Sequence, residues 1–98
     1  IEGLLDNRYT VRLHFAELEK HVRPGERVFD VLVDSEKVLS SFDIMAETGQ
    51  AMTGTVKEFS IEVKNNKLTV EFHQPENSAL PPLINGIELA IDRSVDMQ

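Results

Sequence analysis

The chain has 98 residues, 41% of them hydrophobic and 28% charged, the composition and length of one globular domain with no room for a second. Its 10 Lys and Arg stand against 17 Asp and Glu, a net charge of −7, and that balance repels phosphate backbones and anionic lipid, which excludes nucleic acid and membrane as partners. No cysteine is present, so disulfides, thiolate metal sites and a cysteine nucleophile are excluded together.

No apolar run approaches the roughly 20 residues of a membrane span, and no basic-then-apolar leader stands at the start. The chain opens on Ile1 and reaches strand-like sequence almost at once, so residues 1–98 are expected to be a single domain and a fragment of a longer protein. Gly3, Asp6 and Asn7 lead in as turn formers, and Leu4 and Leu5 suit the end of a preceding strand. From Tyr9 to Glu17, Tyr9, Val11, Leu13 and Phe15 alternate with Thr10, Arg12, His14 and Ala16, the period of a half-buried strand.

A polar loop follows over Leu18 to Glu26, with Pro24-Gly25 as its turn signal. In the next strand, Arg27 to Val33, Phe29, Val31 and Val33 alternate with Val28, Asp30 and Leu32. Both faces are apolar apart from Asp30, which marks a central strand. The pair is expected to form an antiparallel hairpin with a long loop, continued into a three-stranded meander through the turn at Asp34-Ser35-Glu36 and a strand over Lys37 to Asp43.

Ile44 to Thr55 breaks the alternation, and its two glycines predict a crossover between sheets with one helical turn at Met45 to Thr48. Val56 to Val63 resumes it, with Phe59, Ile61 and Val63 inward. The Asn65-Asn66 pair tolerates positive φ, so this strand and the one carrying Leu68, Val70 and Phe72 are expected to form a second hairpin. Pro75, Pro81 and Pro82 make Gln74 to Pro82 a surface loop. The last strand is expected from Leu83 to Ile91, with Gly86 marking a bulge or a close approach, and the tail beyond Asp92 is expected to fray. Six short strands with turns at this spacing predict an all-β antiparallel sandwich. Leu13, Phe15, Phe29, Val31, Phe59, Ile61, Leu68, Val70, Phe72 and Ile87 are its expected core.

His14, His21 and His73 stand at no metal-ligand spacing, and no glycine-rich phosphate loop or serine elbow is present, so no metal and no cofactor is called for. His14 and His73 read as outer-face strand residues. Asp30 reads as a carboxylate that accepts backbone or cationic donors and fixes a register. Glu17, Asp30, Asp43 and Glu88 are the carboxylates available for paired acid-base work, but a domain of this size lacks the cleft walls that chemistry needs, so an enzyme is not expected.

The order YTVRLHFAE, a polar loop with Pro24-Gly25, RVFDVLV, Phe42-Asp43-Ile44 and the closing Ile84-Asn85-Gly86-Ile87-Glu88-Leu89 resembles the malectin domain over roughly Tyr9 to Ile91. That resemblance implies a jelly-roll or galactose-binding-like sandwich and a non-catalytic carbohydrate-binding role outside the cytosol, in an extracellular, periplasmic or endoplasmic-reticulum compartment. Malectin itself is a luminal lectin, and related domains accompany glycoside hydrolases and plant receptor kinases. By family position the glycan site lies where Leu18 to Glu26 meets Gln74 to Pro82, with Glu19, Lys20, His21, Arg23 and Asn77 as its polar groups.

Two departures bear on the ligand. Malectin carries an aromatic pair directly after its FAE element, where this chain has Glu19 and Lys20 after Leu18, so the surface on which a pyranose stacks is replaced by hydrogen-bonding groups. Most of the amino-terminal part of the family domain is also expected to be missing before Tyr9, which predicts an uncovered edge that a neighbouring domain, or self-association, covers. The sequence therefore predicts a binding module of weak or altered glycan specificity. The alternative is a structural or protein-interaction sandwich that binds no sugar.

Overall fold

The computed structural model describes residues 1–91; the tail beyond Asp92 lies outside them. In chain order the elements are β1 (Asn7–Ala16), β2 (Val28–Val33), β3 (Glu36–Asp43), a short helix α1 (Ile44–Thr48), β4 (Gly54–Val63), β5 (Val70–His73) and β6 (Gly86–Ile91). They form two three-stranded antiparallel sheets, β4-β1-β6 and β3-β2-β5. The sequence dictates the facing: Tyr9, Val11, Leu13 and Phe15 of β1 and Phe29, Val31 and Val33 of β2 are all buried, each set at the alternate positions that share one face of a strand.

Between the sheets the ring of Phe15 packs tilted against those of Phe29 and Phe42, its centroid 4.7 Å from that of Phe42, and Phe29 and Phe42 meet edge to face. Such pairs add about 0.5–1.5 kcal/mol to the burial of their area. Of the expected core, Leu13, Phe15, Phe29, Val31 and Leu68 are buried, and Phe59, Ile61, Val70 and Phe72 pack half-buried against them. Ile87 is a correction. It pairs with Leu13 and so lies on the inner side of the sheet, yet it is 41% exposed because β6 is an edge strand.

The pairing differs from the expected one in two places. β1 and β2 are no hairpin and their strands join no meander: they lie at the centres of opposite sheets, and residues 17–27 cross between them. Only β2 and β3 are joined as a hairpin, through Asp34 and Ser35 at φ 49° and 69°. The Asn65-Asn66 turn forms, with φ 63° and 59° and one flanking bridge between Lys64 and Lys67, but the chain then leaves β4, and β5 pairs with β2. Alternation shows which residues face the core, and both inner faces of a sandwich meet that condition equally.

Smaller features agree with the sequence. α1 is the expected helical turn, capped by Asp43 at its start and by Gly49 at φ 81° at its end. Its segment crosses from β3 to β4 as expected. Residues 1–4 run beside 66–68 through a Glu2–Lys67 bridge and backbone bonds from Leu4 and to Ile1. The final strand begins at Gly86 rather than Leu83, and its ladder to β1 runs through Gly86 without a bulge.

Candidate functional site

β1 and β5 end, and β2 and β6 begin, at the same end of the sandwich, so the crossings 17–27 and 74–85 meet there beside α1. Their contact is specific. The Ser78 hydroxyl accepts from the Val28 amide at 3.0 Å, and the Leu80 amide donates to the Glu26 carbonyl at 3.0 Å. The predicted pairing of the two loops is thus present.

Underneath lies a group whose importance the sequence reading missed. Glu17, with no exposed surface, accepts from Arg27 Nε at 2.7 Å and from its second terminal nitrogen at 3.2 Å, and the other Arg27 nitrogen donates to the Pro81 carbonyl at 2.8 Å. One guanidinium therefore ties the end of β1, the start of β2 and the proline loop. The Glu17 carbonyl also accepts from the Met52 amide at 2.7 Å, which fastens the segment after α1 to the same point. A signal existed: Glu17 continues the inward series 9, 11, 13, 15 and Arg27 the inward series 29, 31, 33, and opposite charges at inward parity imply a buried pair.

On this clamp the loop surface is mostly polar, with the apolar side chain of Leu18 exposed at its start and that of Met52 exposed on the segment after α1. Glu19, Lys20, His21 and Arg23 are exposed, as is Asn77 on the facing loop, while Val22 alone of the segment turns inward at 6%. The Pro24-Gly25 turn is held by Asp43, whose Oδ2 accepts from the Gly25 amide at 2.6 Å while Oδ1 caps α1 through the Ala46 amide at 3.1 Å. None of the six aromatic side chains is exposed there: Tyr9, Phe15, Phe29 and Phe42 are buried, and Phe59 and Phe72 are half-buried against the core.

The other polar groups singled out from sequence stand apart. Asp30 sits on the outer face of β2 at a register break, where it accepts from the Ser41 amide at 2.8 Å and pairs with Lys37 at 3.3 Å. The Ser41 amide, and then Lys37, hold its carboxyl below the usual range against the opposing effect of partial burial. His14 bonds Glu88, and His73 bonds Glu71 at 2.9 Å, both on outer faces. Glu17, Asp30, Asp43 and Glu88 thus each have a separate partner and form no pair. Among the described residues no three His, Asp or Glu side chains gather as a metal site, and no helix is long and apolar enough to cross a membrane. An open groove of about 780 Å³ lies at the opposite end, where Arg8, Lys64 and Lys67 stand with Asp34, Glu36, Glu62 and Glu71; its mixed charges select no ligand class.

Two small antiparallel sheets face to face, with crossing loops stapled at one end, define a β-sandwich of the jelly-roll, galactose-binding-like type. The chain belongs to the malectin domain family, whose profile matches residues 3–87. The nodulation receptor kinase of Pisum sativum is 33% identical over 84 residues, which is 86% of this chain and 9% of that protein. Among solved structures, the ANXUR2 extracellular domain from Arabidopsis thaliana superposes with a TM-score of 0.80 at 21% identity, covering 94% of this chain and 27% of that one. A chain in the structure of the plant peptide RALF23 in complex with FER and LLG2 superposes at 0.76 with 25% identity, covering 87% and 24%. The chain thus spans a small part of the proteins it resembles.

Proposed function

We propose that this chain is a non-catalytic recognition module of a larger extracellular protein, and that it takes its ligand at the clamped loop end through Glu19, Lys20, His21, Arg23 and Asn77. The observation that carries this reading is the pairing of a fixed platform, held by Glu17 and Arg27, with a surface of hydrogen-bonding and charged groups beside which the apolar side chains of Leu18 and Met52 are exposed. Such a surface suits the backbone and polar side chains of a peptide or protein partner. The similar chain in a complex with the peptide RALF23 supports the same direction.

Glycan binding is the second reading, supported by family membership. With every aromatic ring turned to the core, sugar contacts are limited to exposed hydrogen bonds, each worth about 0.5–1.5 kcal/mol, and affinities reach the millimolar range at best. Calorimetric titration with nigerose and maltose is expected to show little or no heat at micromolar concentrations. Micromolar binding that survives Glu19→Ala and Lys20→Ala would overturn both the assigned surface and the affinity argument.

A further inference from the structure

The crossing 74–85 returns to β1 at Asn85. The Asn85 backbone amide donates to the His14 carbonyl at 2.9 Å, and its side-chain oxygen accepts from the Ala16 amide at 2.7 Å. One residue thus ties the start of β6 to the end of β1, next to the buried Glu17. The residue after it, Gly86, opens the β6 ladder opposite His14. Neither conformation nor space calls for glycine there. Its φ is not positive, and an added Cβ would meet the His14 side chain only at 3.8 and 3.9 Å, which is ordinary contact.

An asparagine followed by glycine has a chemistry of its own. The glycine amide nitrogen gives up its proton to water and attacks the asparagine side-chain carbonyl carbon. The new C–N bond closes a five-membered succinimide, and the side-chain nitrogen leaves as ammonia. Water then opens the ring at either carbonyl, giving aspartate or, with the main chain rerouted through the side chain, isoaspartate. No oxidant or cofactor takes part. Glycine favours the attack because it has no Cβ to hinder the nitrogen and its backbone turns freely. Ring closure requires the Asn85 side chain to leave the Ala16 amide and Gly86 to leave its extended ladder. We propose that Asn85–Gly86 is a deamidation site gated by the fold, closed while both bonds to β1 hold and converted when this end of β6 lifts away. Conversion puts a negative charge beside Ala16, and isoaspartate also lengthens the main chain by a methylene, so the joint does not re-form in register. Every group involved lies within residues 14–86, and the site is independent of the ligand the loop end takes.

The test is incubation of the 98-residue chain at mildly alkaline pH, folded or in guanidinium chloride, with peptide mapping by mass spectrometry for the change from amide to acid. In denaturant Asn85 is expected to convert faster than Asn65, Asn66 and Asn77, which precede bulkier residues. In the folded chain it is expected to convert about tenfold or more slowly than in denaturant, because reaction waits on local opening. Gly86→Ala is expected to slow the reaction in denaturant by about tenfold or more, a comparison that needs no folded protein. The isoaspartate form, separated from the parent, is expected to show displaced amide resonances at Ala16 and Glu17. Equal rates at Asn85 in the folded and denatured chain, no preference for Asn85 in denaturant, no slowing by Gly86→Ala, or unmoved Ala16 and Glu17 amides after conversion would each overturn the proposal.

Discussion

Arg27 and Glu17 place two full charges under cover, and their geometry decides what each is worth. Desolvating either is costly, and their bidentate contact at 2.7 and 3.2 Å offsets that cost only while both are present. Arg27→Met is therefore expected to destabilise the fold by about 3–5 kcal/mol, read by denaturant unfolding, because it leaves Glu17 charged and unpaired. Adding Glu17→Leu to that variant is expected to recover much of the loss. A double variant no more stable than Arg27→Met would show that Arg27 acts mainly through the Pro81 carbonyl. Asp30 gives a different signature. Its carboxyl is more acidic in the fold than in the unfolded chain, so its contribution is fully present above about pH 4 and disappears as pH falls through the folded value. In Asp30→Asn the acid-side fall in melting temperature should be shallower than in the parent, and an unchanged slope would contradict the assignment.

At the scale of elements, Asp43 ends β3, caps α1 and holds the Pro24-Gly25 turn, so one carboxylate couples a strand, a helix and the candidate loop. Loss of a helix cap costs roughly 0.5–2 kcal/mol. Asp43→Ala is expected to lower stability by that amount and to perturb amide shifts at Gly25 as well as at Ala46; a response confined to α1 would separate the two roles. The same elements show what was legible beforehand. The period of two located all six strands and the burial of Leu13, Phe15, Phe29 and Val31, since facing is a local property of a strand. Sheet membership is not local. The Pro24-Gly25 and Asn65-Asn66 turns both exist, but each sits within a crossing, because β1 and β4 gain more by pairing with each other over their whole length than as arms of separate hairpins. At the site, Glu19, Lys20, His21, Arg23 and Asn77 were legible as exposed polar groups, whereas the Glu17–Arg27 pair was signalled only by the inward parity of its two members, which the reading did not use.

Among the described residues, the central strands β1 and β2 are each paired on both sides and carry the interlocked aromatic side chains, while β3, β4, β5 and β6 are paired on one. Native-state hydrogen exchange is expected to be slowest in β1 and β2, where opening requires separating both sheets, and faster in β5 and β6. Exchange in β6 as slow as in β1 would imply that its edge is already covered. Phe29→Ala, at the point where the Phe15, Phe42 and Phe72 rings meet, should cost about 3–5 kcal/mol, a large share of a small domain's stability.

The clamp at the loop end also has a use in engineering. Its two partners sit immediately outside Leu18–Glu26 and hold the ends of that segment together. The closure is supplied by the scaffold, so the intervening sequence is an exchangeable cassette: doubling its length costs only roughly 0.6 kcal/mol of loop entropy. Randomised inserts displayed between Glu17 and Arg27 would retain an anchored base, provided Val22 is replaced by another inward apolar residue. The same frame could then be selected for new targets as antibody loops are.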